Sequence, residues 1–222
     1  MNGFRFAMSR IDYEEKKNIK ILLLVPLSIF IWLLFLAFVA YSGFFLNFNS
    51  LPPRILLAVI PPVIAILYLI YSGKLDKLLL KLRPWWLINL QVFRFAMEII
   101  LWMLFLEKII PKQMTFEGYN FDVLVGVSAI PISYFCFKER KFSYKPVVVW
   151  NIFGLLLLLN IVVIAIISTP SPMRVFMNEP ANTFIAFYPF IWLPGFVVPM
   201  ALFLHLASLR QIKLKNGPVM DF

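Results

Sequence analysis

The stretch from Trp86 to Ile110, WLINLQVFRFAMEIILWMLFLEKII, constrains this chain more than any other. It is long and apolar enough to cross a bilayer, a crossing that takes roughly 20 residues. Yet Arg94 and Glu98 sit in its interior, with Gln91 three positions before Arg94. A charged side chain at membrane depth is costly, so such residues turn toward a protein interior or a wet cavity and find a partner there. A fold that accepts this stretch must therefore build a protein interior within a membrane.

The rest of the sequence has the material to do so. It is 62% hydrophobic and 17% aromatic, with a mean hydropathy of +0.87, whereas soluble domains run at roughly 45–50% apolar. Long apolar runs fall at about 21–45, 54–71, 86–110, 120–137, 146–167 and 183–209. They predict an all-α integral membrane protein, a bundle of six transmembrane helices, with residues 1–20 as an N-terminal segment and 210–222 as a polar tail. Pro189, Pro194 and Pro199 should kink the sixth span. Between the second and third runs, Lys74, Lys77 and Lys81 share one helical face and the leucines of Gly73 to Arg83 another. That pattern predicts a short amphipathic helix on the membrane surface. The fourth run is the weakest, since Val123 to Phe137 covers only about 22 Å of a core about 30 Å thick.

Six crossings would place sixteen of the 21 Lys and Arg residues on the side of the termini and four on the other, with Arg94 inside. By the positive-inside rule both termini are then cytoplasmic, in a bacterial-type inner membrane whose anionic headgroups meet the basic loops. The net charge of +10 is thus read as a membrane feature, and no nucleic acid is expected as a partner. One cysteine, Cys136, and one histidine, His205, exclude a disulfide framework, bis-histidine haem and a Cys/His zinc site. No cofactor or metal is expected, and no catalytic residue is assigned. No GxSxG, HExxH, EF-hand or P-loop pattern occurs, and Ser128 and His205 would sit about 15 Å apart in depth.

Two polar groups remain as candidate sites. Gln91, Arg94 and Glu98 form one stripe of the third helix, and Asn151 and His205 should lie in the same half of the bundle. Arg94 and Glu98, four residues apart, are placed to neutralise each other; the group reads as a tie between helices, a polar ligand pocket or a contact for a partner protein. The second group lies in the outer loops: Thr115, Glu117, Asn120 and Asp122 in one, Asn178, Glu179 and Asn182 in the other. Their oxygens suit a hard cation or a polar ligand, while Asp122 and Asn182 also stand where helix caps belong.

At QVFRFAMEIILW, PKQMTFEGYNFDVLVG and NEPANTFIAFYPFIWLPGFVVPMALFLHLASLRQ the sequence resembles a group of small bacterial multi-span inner-membrane proteins whose function is uncharacterised. The resemblance runs from Gln91 onward. It implies that the loop after the third helix and the sixth helix form one unit with the third helix, and it carries no activity.

The function these features point to is a non-enzymatic membrane protein that binds a small ligand, a lipid or a partner membrane protein around Arg94 and Glu98. A small transporter or channel using the same pair in its pathway is the alternative, and a lipid-acting membrane enzyme a further one.

Overall fold

The computed structural model describes residues 15–138 and 144–216. The N-terminal segment over 1–14, the centre of the basic loop at 139–143 and the end of the tail at 217–222 lie outside the described residues. All regular structure among the described residues is helical: α1 Glu15–Tyr41, α2 Leu56–Tyr71, α3 Asp76–Lys81, α4 Pro84–Asn89, α5 Phe93–Leu106, α6 Val123–Ser133, α7 Lys145–Ile167 and α8 Val198–Asn216. A 3₁₀ turn at Leu90–Val92 joins α4 to α5, so Pro84–Leu106 runs as one rod.

Four helical segments are long and apolar enough to cross a membrane: Leu23–Tyr41, Pro84–Leu106, Lys145–Ile167 and Leu193–Lys215. Large apolar side chains stand exposed along them, Phe38 at 75% and Val149 at 66% among them, which a bilayer tolerates and water does not. The chain is therefore a multi-span membrane protein.

The expectation of six spans is corrected. Leu56–Tyr71 and Val123–Phe137 are apolar but shorter, about 24 and 22 Å at 1.5 Å per residue against a core of about 30 Å. For the second of these the reason lies in Asp122. Its side chain is drawn inward to Arg94, so α6 begins inside the bundle. Ahead of it the segment 107–122 turns Met114, Thr115 and Asn120 into the interior, while Lys108, Lys112 and Glu117 stay exposed. Irregular backbone at such depth is tolerated where protein covers it.

The sixth run also differs from expectation. Residues 183–192 are a 3₁₀ turn, Phe184–Ala186, and irregular chain. The rod begins only at Leu193, as a π-helical turn over Leu193–Val197 that contains Pro194. Proline removes a backbone donor and its ring displaces the carbonyl four residues earlier, so Pro189, Pro194 and Pro199 delay the helix rather than bending it midway.

That helix then continues past the expected end at 209, to Asn216. Arg210 binds both oxygens of Asp76 (2.9 and 2.6 Å). Gln211 Nε2 donates to the carbonyls of Leu79 and Leu82, two acceptors that the end of a helix leaves unsatisfied. The amphipathic segment is thus helical as α3, but its buried Leu79 packs with Ile70, Leu204 and Ala207 of the bundle.

Candidate functional site

Arg94 lies about 15 Å along the rod from Pro84 and about 18 Å from Leu106, close to its middle. It is 2% exposed. Its Nε and Nη2 both donate to the carboxylate of Asp122, with Nε–Oδ2 at 2.9 Å. This forked arrangement matches guanidinium to carboxylate geometry and is the strong form of the ion pair.

The expected pairing of Arg94 with Glu98 is not formed: Arg94 turns to Asp122, and Glu98 Oε1 accepts instead from Asn120 Nδ2 (2.6 Å). Asn120 and Asp122, expected in an outer loop, therefore belong to the inner site. Asp122 stands at the N-cap position of α6 but makes no side-chain capping bond, because Arg94 takes both its oxygens.

From Arg94 a second line of hydrogen bonds runs across the bundle. Nη1 lies 2.9 Å from His205 Nε2. A guanidinium can only donate, so Nε2 accepts and the proton sits on Nδ1. Nδ1 then donates to Asn151 Oδ1 (2.9 Å), leaving Asn151 Nδ2 to donate to Val147 O (2.8 Å) and Ser208 Oγ (3.0 Å). The roles close without conflict around a neutral imidazole.

His205 and Asn151 are fully buried, and Gly154 makes that possible. A Cβ at Gly154 would collide with the imidazole ring, so only glycine lets α7 lie flat against His205. Gly126 does the same where α6 meets the backbone of Phe95. Small residues at helix crossings are the usual route to such close approach in membranes.

Gln91, Arg94, Glu98, Asn151 and His205 are all buried, with Gln91 Nε2 donating to Ala201 O (3.2 Å). Arg94, His205 and Asn151 form a connected chain, while Gln91 stands apart. Ser208 completes that chain and was not singled out in the sequence; a serine three residues after His205 carries no signal of its own. Ser128 and His205 do not meet: Ser128 Oγ donates to Leu124 O and accepts from Trp150 Nε1.

The outer-loop group does not converge. Thr115 Oγ1 donates to Lys112 O, and Glu117 accepts from Trp102 Nε1 (2.6 Å). Asn178 exchanges amide bonds with Gln113, and Asn182 Nδ2 donates to Ala165 O. The helix that Asn182 was expected to cap begins only at Leu193. Glu179 is exposed and binds Arg174 (3.0 Å). The Arg174 hydrogen bond, then the one from the Ala181 amide, hold its carboxyl below the usual range. These side chains are spent on separate local ties, not gathered about one centre.

Beside Arg94 lies a cavity of about 140 Å³. Arg94, Glu98 and Asp122 line it, with Thr169, and the rest of its walls are apolar: Val59 of α2, Met97 and Leu101 of α5, Leu158 and Ile161 of α7, Val197 and Ala201 near the start of α8 among them. Glu98 Oε2 is buried and has no hydrogen-bond partner among the described residues.

No curated protein and no solved structure matches the chain. One family profile, described as a domain of unknown function (DUF8737), matches residues 52–213, the part from just before α2 almost to the end of α8. That region holds the whole Arg94–Asp122/His205 cluster and the cavity beside it, and this multi-span membrane protein accordingly belongs to the DUF8737 family.

Proposed function

We propose that this chain is a multi-pass protein of a bacterial-type cytoplasmic membrane that binds a small amphipathic ligand in the cavity beside Arg94 and Glu98. The observation that carries this reading is Glu98 Oε2, a buried carboxyl oxygen without a partner among the described residues, on a side chain that lines a largely apolar cavity. An unpaired buried polar atom costs free energy that a ligand group can offset. The walls supply the complement for an apolar body, as binding cavities generally do. An apolar cavity of about 150 Å³ accepts a molecule of benzene size, which sets the scale.

Access favours the lipid phase. Val59, Met97, Val162 and Val197 line the cavity and are half-buried, so its partly open side is framed by apolar side chains. A transport pathway has less support, because Arg94 is held by Asp122 and His205 together.

Orientation follows from the bases. Arg210 meets Asp76, and Ile212 packs with Ile88, Cys136 and Val147. One end of the bundle thus collects the basic segments around Lys74–Arg83 and Arg210–Lys215 and the start of α7 at Lys145. This end faces the cytoplasm and the anionic headgroups of the inner leaflet.

The test uses the full chain in nanodiscs of zwitterionic lipid and a photoreactive six-carbon alcohol. Labelling should map to Met97, Leu101 and Leu158 and fall in Leu101→Phe, which fills the cavity. Labelling of these residues no stronger than at the exposed Leu124 overturns the reading.

A further inference from the structure

Resting on that reading, we infer that the polar end of the ligand is an amine, received by Glu98 Oε2. The formal charges lining the cavity are one guanidinium, Arg94, and two carboxylates, Glu98 and Asp122. The guanidinium is already committed, with Nε and Nη2 on Asp122 and Nη1 on His205. The carboxylate of Glu98 has only a neutral amide, Asn120 Nδ2, on one of its oxygens. Its other oxygen is the unpartnered atom, on a residue only 3% exposed. With Glu98 ionised, the site is one positive charge and one hydrogen-bond donor short, and a primary ammonium group brings both.

Other ligand chemistries fit less well. An anionic head group would need Arg94, which Asp122 holds in a forked pair, and would add a third negative group to the cavity. A bare hard metal cation needs about six oxygen ligands, whereas beyond this end the walls are apolar side chains and Thr169, whose hydroxyl donates to Ala165 O. An alkyl or aryl group on the amine fills the space between Leu101, Leu158 and Ala201. The ligand class is thus a small primary amine with an apolar body, of aryl or six-carbon size.

The experiment compares three photoreactive six-carbon probes, an amine, an alcohol and a carboxylate, on the full chain in zwitterionic nanodiscs at pH 7. Labelling at Met97 and Leu101 is normalised to labelling at Leu124, which removes differences in partition into lipid. The amine should label the cavity about tenfold more than the carboxylate, the margin of one charge-assisted hydrogen bond, and competition with unlabelled hexylamine should abolish it. In Glu98→Gln the amine's advantage should disappear while labelling by the alcohol persists. Equal labelling by all three probes in the unaltered chain, or an amine preference that survives Glu98→Gln, overturns the inference and leaves the binding reading standing. Absence of cavity labelling by every probe overturns both.

Discussion

Arg94 reaches across 28 positions of sequence to clasp Asp122, passing over Glu98 one turn away on its own helix. The pair joins the middle of the Pro84–Leu106 rod to the start of α6 and fixes how deep that short helix begins. Breaking a buried ion pair leaves one charge uncompensated, at a cost of about 3–5 kcal/mol. Arg94→Ala and Asp122→Ala should each lower the free energy of unfolding in detergent by that order. Arg94→Met with Asp122→Leu should recover most of the loss. Glu98→Gln keeps an acceptor for Asn120 and should cost within about 1 kcal/mol. A loss at Glu98 as large as that at Arg94 would contradict the pairing described.

Gly154 is in contact with a ring rather than with open space. Adding one methyl in Gly154→Ala forces His205 away from α7, an overpacking change of about 1–3 kcal/mol. Trp150 lies 5.3 Å from the imidazole, centroid to centroid, and its indole emission should change with the displacement. An unchanged unfolding midpoint and an unchanged spectrum would show that the ring is not held there.

Two tryptophans fasten α1 to the bundle. Trp32 Nε1 donates to Gly195 O (2.8 Å), and Trp192 Nε1 donates to Leu33 O (3.0 Å). The first carbonyl lies in the π-helical turn that opens the last rod, where the helical bonding is irregular. Hydrogen bonds between membrane helices are worth about 0.6–1.7 kcal/mol each. Trp32→Phe and Trp192→Phe keep the rings and remove only the donors. Each should speed hydrogen exchange along α1 while leaving exchange in α7 unchanged.

Glu179 lies outside the spans and gives the loop after α7 a pH dependence. Its carboxyl titrates below its ordinary value of 4.5, first because of the hydrogen bond from Arg174. A depressed carboxyl contributes its stabilisation fully above the unfolded value and loses it as pH falls through the lower folded value. Acidification below 4.5 should therefore loosen residues 174–181, seen as faster hydrogen exchange there. In Glu179→Gln this acid-dependent component should vanish. Because Glu179 is exposed, high salt should weaken the pair in the wild-type chain too.

Much of the architecture was legible in the sequence. Apolar runs of span length at 86–110 and 146–167 became rods close to those bounds, because twenty apolar residues in lipid have few alternatives to a helix. The buried polar set of Gln91, Arg94, Glu98, Asn151 and His205 was also visible, since a polar residue within such a run has to face protein. The fourth run misled. Counted as a crossing, it puts Asp122 at the outer surface, out of reach of Arg94, whose nearest acid by helical spacing is Glu98. The sixth run was moved by about ten residues because three prolines postponed its start, and Arg210 and Gln211 kept it helical at the far end.

Sequence by itself determined that this chain is a helical membrane protein with a costly charged stripe in its third apolar run, because hydropathy and helical spacing are local properties. Tertiary structure alone decided which acid neutralises Arg94, that His205 accepts from it, and that Glu98, which lines a cavity, keeps one oxygen without a partner among the described residues. Those outcomes depend on the depth at which residues 107–122 enter the bundle and on how closely Gly126 and Gly154 let helices approach. Both are set by packing between segments far apart in the chain, which no local pattern of residues encodes.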